Sequence, residues 1–273
     1  MPCPPRRIGD NARMAATRDK TAGRPVSVAL AHHWLMSMRG GERVLAVLAE
    51  MFPAAPIYTL LARRDSLDER LLARDLRRSR LQWFNWIPDL QRKALPVLPA
   101  AARSLDARAF DAVICSDAAV VKAIRARAGA LKVCYCHSPM RYVWDLYEDY
   151  FRAAGPLGRV GLRLCAGRVR RADRQAAETV TVFVANSRAV ADRIRRNYER
   201  GCVVIYPPVD VDFGRPPAEA EDYYLVVGEC VGYKRHDLAV EACARLRRHL
   251  VVIGTGPALS DLRRRRAARR QEG

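Results

Sequence analysis

The 273-residue chain is half hydrophobic and carries 48 basic against 29 acidic residues, a formal net charge of +19. It is long enough to bury one complete core and part of a second. No stretch reaches about 18 uninterrupted apolar residues and residues 1–25 lack an apolar signal core, so neither a spanning helix nor secretion is supported and the cytoplasm is expected. The positive charge, almost all arginine, favours encounter with any polyanion: nucleic acid, an anionic membrane, or a diphosphate-bearing substrate.

Residues 1–25, rich in Pro, Arg, Gly and Asp without periodicity, are expected to be a disordered leader. From Val26 short apolar runs alternate with helical stretches. Strands are expected at Val26–Ala31, Ile57–Leu61, Ala112–Ser116, Leu131–Cys136, Val180–Ala185 and Val203–Tyr206, each apolar enough to be buried on both faces. Helices are expected at Gly41–Met51, where Val44, Leu45, Leu48 and Met51 share a stripe, and at Ser187–Tyr198, where Val190, Ile194 and Tyr198 do. This alternation implies an α/β fold with a doubly wound parallel sheet in a first domain, 26–205.

Tyr206-Pro-Pro-Val-Asp210 breaks the pattern, because consecutive prolines continue neither a helix nor a central strand. The alternation restarts in residues 206–273 with strands at Tyr223–Gly228 and Leu250–Gly254 and helices at Arg235–Arg248 and from about Pro257. Two strands and two helices bury little, so this second domain is expected to be partial. The eight cysteines are expected to be reduced and mostly core; Cys134-Tyr-Cys136-His137 has no second cluster to complete a zinc site, so no metal is expected.

Three motifs carry chemistry. His32-His-Trp-Leu leads to Arg39-Gly-Gly-Glu42 at the start of a helix, where paired glycines let backbone N–H groups approach a phosphate or sugar; a plain helix-entry turn would use them equally well. Cys136-His-Ser-Pro-Met-Arg-Tyr-Val-Trp-Asp145 follows a buried strand, where a doubly wound sheet binds its ligands. There His137 and Arg141 are reactive or anion-binding types, whereas Tyr142 and Trp144 would also serve as interdomain packing and Asp145 as a helix cap. Gly228-Glu-Cys-Val-Gly-Tyr-Lys-Arg-His-Asp237 puts Lys234 and Arg235 beside a helix start, where they oppose the dipole unless an anion binds. A solvated Lys-Arg pair is the alternative.

With Ala185-Asn-Ser187, Tyr206-Pro-Pro-Val-Asp210, Tyr233-Lys-Arg-x-Asp237 and Val252-Ile-Gly-x-Gly256, these motifs resemble, in order and spacing from about Val26 to Asp261, bacterial family 4 GT-B glycosyltransferases of the mannosyltransferase-like group used in polysaccharide and O-antigen assembly. The resemblance implies a GT-B fold, here a complete Rossmann-like acceptor-side domain followed by a truncated donor-side one. It also implies transfer of a hexose, mannose favoured, from a nucleotide sugar to a polysaccharide or lipid-linked acceptor with retention. No metal and no cofactor beyond GDP-mannose or a UDP-sugar as co-substrate are implied.

By the same resemblance His137 contacts the transferred sugar, Gly40 and Gly41 line the cleft near donor phosphate and acceptor, and Lys234 with Arg235 neutralises the departing diphosphate. Arg39, Ser138, Arg141, Tyr142, Trp144, Asp145, Asn186 and Ser187 fall on the acceptor side or the cleft wall. Two departures stand out: Glu229 replaces a basic residue found in many relatives, and the Glu-x7-Glu pair that grips the donor is absent, the only acids after Gly256 being Asp261 and Glu272. Impaired turnover is therefore expected, the alternative being a non-catalytic remnant or binding module contacting acceptor, membrane or a partner chain.

Leu157–Ala177 sets Arg159, Arg163, Arg168, Arg170, Arg171 and Arg174 around Leu157, Val160 and Leu164. This is either a basic amphipathic helix lying on the inner membrane or an ordinary packed helix with a solvated arginine face. The arginine run after Leu262 lacks interleaved aromatics, so nucleic acid is not an expected partner.

Overall fold

The computed structural model describes residues 25–87, 90, 94–211 and 221–271. All of the expected leader except Pro25 lies outside them, as do residues 212–220 of the loop after the double proline. The chain divides into two compact units, Met1–Pro208 and Val209–Gly273.

In the first unit seven strands, β1 (Val28–His32), β2 (Ile57–Thr59), β3 (Leu76–Arg78), β4 (Ala112–Asp117), β5 (Leu131–Cys136), β6 (Val182–Ala185) and β7 (Val203–Val204), form one parallel sheet in the order β3-β2-β1-β4-β5-β6-β7. The alternation of side chains along β1 serves both faces: Leu30 packs with Ile57 and with Leu45, Ala46 and Ala49 of helix α1 (Gly40–Met51). Ala29 and Ala31 face the larger core, with Val113, Cys115, Cys134 and Phe183.

Helices α3 (Leu98–Ser104), α5 (Pro156–Glu178) and α6 (Arg188–Tyr198) close that second face, while α2 (Glu69–Leu72) and α4 (Tyr147–Ala153) are short connectors. Burying one such Leu, Ile or Phe contributes about 1.5–3 kcal/mol.

β3 is an addition to the expected strands. Its sequence, Leu-Arg-Arg, has no apolar run because it is an edge strand whose arginines meet solvent, with Arg77 hydrogen bonding to Asp75 and to the Tyr58 hydroxyl. Strand order reverses between β1 and β4, and their register places His32 opposite Ser116. A crevice opens beyond the carboxyl ends of strands at such a switch point.

In the first half of α5 Leu162 and Cys165 pack against the core, but the stripe singled out in the sequence does not. Leu157, Val160 and Leu164 are all exposed, Leu157 by 91%. The buried stripe lies farther on, at Ala166, Val169, Asp173, Ala176 and Ala177.

The second unit pairs β8 (Tyr224–Val227) with β9 (Leu250–Ile253) in parallel and adds α7 (His236–Arg245) and α8 (Leu259–Gln271). The loops after its strands pack backbone on backbone. A Cβ at Gly254 would lie 1.9 Å from the Gly228 carbonyl oxygen and one at Gly256, φ +147°, 2.5 Å from that of Cys230. Only glycine fits either position.

Candidate functional site

At the carboxyl ends of β1, β4 and β5 three side chains form a chain of hydrogen bonds. The Ser116 hydroxyl sits 3.1 Å from His32 Nδ1 and 2.8 Å from His137 Nε2. A backbone bond from His137 N to Asp117 O, 2.8 Å, fixes the start of the loop after β5, and Asn186 Nδ2 donates to the His137 carbonyl at 3.2 Å.

Over this cluster lies the first turn of α1. A Cβ on Gly41 would stand 3.4 Å from His32 Cε1 and 3.5 Å from His137 Nε2, so the bare α-carbon lets the helix start settle against both rings. Gly40 has open space around it.

Glu42, buried in the same turn, accepts a hydrogen bond from the Arg39 backbone N–H at 3.1 Å, and its other oxygen stands 4.0 Å from His32 Nε2. Its acidity is weakened by burial, against hydrogen bonds from its own N–H and that of Arg39. The positive end of α1 thus already carries a carboxylate on its inner side.

All three histidines of the cluster are neutral at neutral pH. Burial holds His137 at about 4, with smaller lowering by His33 and Arg141 and opposition from Asp117. His33 is likewise pushed down to about 4 by burial, partly relieved by Asp117, and His32 lies well below 6.5 for the same first cause. The site therefore offers uncharged imidazoles that hydrogen bond with hydroxyls, and a base that takes up protons only in acid.

Behind the cluster is a buried ionic network. Lys122 Nζ stands 3.1 Å from Asp117 Oδ2 and 2.5 Å from Asp173 Oδ1, while Asp173 Oδ2 accepts from Trp144 Nε1 and the Tyr198 hydroxyl, both at 2.8 Å. Burial opposes the Lys122 charge, but Asp117 and Asp173 overcome it and raise its pKa well above 10.5. For Asp117 burial is likewise outweighed, chiefly by Lys122, and the carboxyl is more acidic than usual.

Trp144 is therefore bolted to α5 inside the first unit. Asp145 is not a helix cap: Leu146 stands at the N-cap of α4, and Asp145 forms ion pairs with Arg193 at 3.5 Å and Arg196 at 3.6 Å.

Of the remaining expected residues, Ser138 is buried and 3.5 Å from Arg193, Ser187 caps α6 by accepting from Val190 N, and the Tyr142 ring lies tilted against that of Tyr150, centroids 4.7 Å apart. Arg141 is close enough to His33 and His137 to depress both. The structure thus draws Gly41, His137, Asn186 and Arg141 around one strand end and gives Trp144 and Ser187 structural partners. Ser116, Glu42 and the Lys122 network escaped the sequence reading, though His32, His33 and Glu42 lay inside a motif already singled out.

Lys234 and Arg235 belong to the second unit. Lys234 Nζ lies 3.2 Å from where a Cβ on Gly228 would be, so the ammonium folds over the strand-end glycine. Arg235, at φ +51°, pairs with Asp237 at 3.0 Å. A cavity of about 190 Å³ at the starts of α7 and α8 is lined by Arg235, His236, Asp237, Asp261 and Arg265, mixed in sign. Among the described residues no cluster of three or more His, Cys, Asp or Glu is arranged for a metal ion.

No curated protein matches the sequence. Among solved structures, the crystal structure of Anabaena Alr3699/HepE in complex with UDP aligns with a TM-score of 0.56 at 12% identity, over 89% of this chain and 66% of that one. CalG4, the calicheamicin glycosyltransferase, aligns with a TM-score of 0.44 at 12% identity, over 86% of this chain and 68% of that one. Identity this low speaks for fold alone, and this chain spans just under two thirds of the HepE chain. The model of the family described as Glycosyltransferase Family 4 matches residues 38–213, from just ahead of Gly40 and Gly41 through the loop of His137 to the double proline, and the chain belongs to that family.

Proposed function

We propose that the chain is a glycosyltransferase that passes a hexose, mannose favoured, from a nucleotide sugar to a glycan or lipid-linked acceptor with retention of configuration. The observation that carries this reading is the neutral His32–Ser116–His137 chain held against Gly41 at the switch point of a family 4 sheet. Cleaving a glycosyl–phosphate bond builds negative charge on the leaving diphosphate, which preorganised cations and helix N–H groups stabilise better than water does.

In this reading Lys234 and Arg235 meet the diphosphate, Gly40 and Gly41 let donor phosphate and acceptor approach, and His137 bonds a hydroxyl of the transferred sugar. Arg39, Ser138, Arg141, Tyr142, Asp145 and Asn186 shape the acceptor side. No metal takes part.

Incubation with GDP-mannose or UDP-glucose and a lipid extract is expected to give a glycosylated lipid or glycan product. His137→Ala is expected to lower turnover by about 100-fold while changing nucleotide affinity by less than about threefold. Product formation untouched by His137→Ala would sink the assignment of His137, and absence of both nucleotide binding and transfer would sink transfer by this chain.

Peripheral contact with an anionic inner-membrane surface belongs to the same proposal. The exposed Leu157, Val160 and Leu164 lie among Arg159 and Arg163 on α5, a face suited to lipid. Sedimentation with phosphatidylglycerol vesicles at low salt, lost in Leu157→Ser/Leu164→Ser, is expected; equal sedimentation of that variant would remove α5 from the contact.

A further inference from the structure

Opposite the histidine cluster, at the amino end of β5, lies a cavity of about 880 Å³ between the end of α5 and the 123–132 segment. Arg103, Arg108, Arg125 and Arg127 line it, and buried Lys132 forms part of its wall. A second cavity, of about 510 Å³, shares Arg103 and Arg125 with the first and adds Arg78 and Arg80. The two adjoin into one elongated basic groove.

Counter-charge within the groove is sparse. Asp106 bonds Arg108 at 2.7 Å and Arg125 at 3.6 Å, so one carboxylate serves two guanidinium groups. Asp111 pairs with Arg127 but is also held by the Ser27 N–H and hydroxyl at 2.9 and 2.7 Å. Among the described residues the side chains of Arg78, Arg80 and Arg103 make no hydrogen bond or ion pair. Lys132 gives its three protons to the carbonyls of Lys122 and Ile124 and to the Thr179 hydroxyl, neutral acceptors that leave its charge uncompensated.

Six arginines and a buried ammonium thus face two shared carboxylates. Exposed guanidinium groups brought together without partners repel one another, and planar guanidinium is the side chain best matched to phosphate oxygens. Arginine content alone would scatter such residues evenly. Unpartnered arginines also lie elsewhere, Arg43 and Arg168 among them, but here Arg78 and Arg80, at the carboxyl end of β3, join Arg103 around one concavity of ligand size whose lining includes none of His32, Gly41, Ser116 or His137.

We propose that this groove is a second binding site, for a phosphate-bearing anion, separate from the histidine site and independent of the glycosyl-transfer reading. Its ligand is a soluble diphosphate or a phospholipid headgroup, which share the chemistry that the arginines recognise.

The test is calorimetric titration and thermal unfolding of the full chain with inorganic pyrophosphate, ionic strength held constant with chloride, beside binding to vesicles of phosphatidylglycerol in phosphatidylcholine. Arg103→Ala/Arg125→Ala, both exposed positions, is compared with Arg195→Ala/Arg245→Ala, which removes the same charge elsewhere. Saturable pyrophosphate binding that raises the unfolding midpoint by about 4 °C and weakens about tenfold or more in the groove variant, but not in the control, supports a soluble ligand. Vesicle binding lost only in the groove variant, with weak pyrophosphate binding, supports a headgroup. Equal losses in both variants, or effects that chloride reproduces, would mean diffuse charge and overturn the proposal, as would no binding in either arm.

Discussion

The two units are built from the same alternation of strand and helix, yet their strands live in different solvents. In the first unit β1 is almost wholly buried, and a lysine and two aspartates are sealed behind the site. In the second, none of the eight residues of β8 and β9 is buried, and Val227 is 67% exposed. Side chains in a parallel sheet leave water only when neighbouring strands and helices on both faces cover them. Depressed histidines and a buried ion network are therefore found where coverage is complete, and ordinary exposed ion pairs such as Arg235–Asp237 where it is not.

The contrast is tested most severely by Lys122→Met. Asp117 and Asp173 would then face one another across a dry interior, and a loss of about 3–5 kcal/mol is expected in urea unfolding. The four tryptophans, Trp34, Trp83, Trp86 and Trp144, all belong to the first unit, so their fluorescence reports on it alone. A loss below about 1 kcal/mol would show the network to be solvated.

Acid is the next probe. His33 falls from about 6.5 in the unfolded chain to about 4 in the fold, so between those values the unfolded state binds more protons. Its contribution is intact above pH 6.5 and declines as pH falls toward 4, by at most about 1.4 kcal/mol per pH unit. His137, held at about 4 as well, adds a slope in the same direction. Replacing His33 with Gln is expected to flatten the profile; an unchanged slope would place the titrating groups elsewhere.

Gly41→Val is milder. A Cβ already touches both imidazoles at ordinary contact distance, so the added methyl groups overpack the helix start at a cost of about 1–3 kcal/mol, read in the same unfolding experiment. Smallest is Val227→Ser on the open strand, expected to change stability by less than about 0.5 kcal/mol in hydrogen exchange of the second unit. A larger loss would mean that this side chain is covered in solution.

Legibility in the sequence followed the same division. Ile57, Val113 and Cys134 stood in runs too apolar for anything but a covered strand, and they gave the sheet. β3 could not be found that way, since an edge strand of Leu-Arg-Arg satisfies solvent on one side and has no reason to look apolar. At the site, His137 and Gly41 were visible as residue types in motif positions. Ser116 was not, because a serine closing an apolar run carries no signal until the register sets it beside His32.

Lys122, Asp117 and Asp173 stood in no motif, since Lys122 and Asp173 meet across 51 residues of sequence, a distance that only the packing of α5 closes. The partner of Arg235 is nearer: Asp237, two residues on in the same motif, pairs with it at 3.0 Å.

One consequence of the Ser116 bridge concerns which tautomer each ring adopts. A hydroxyl has a single proton, so it donates to one imidazole nitrogen and must accept from the other. When Ser116 donates to His32 Nδ1, His32 bears its proton on Nε2 and His137 donates from its own Nε2; when Ser116 donates to His137 Nε2, His32 donates from Nδ1 and the His137 proton sits on Nδ1. In either arrangement one serine proton makes the two rings opposites, so a ligand that sets the tautomer of His137 sets that of His32 as well.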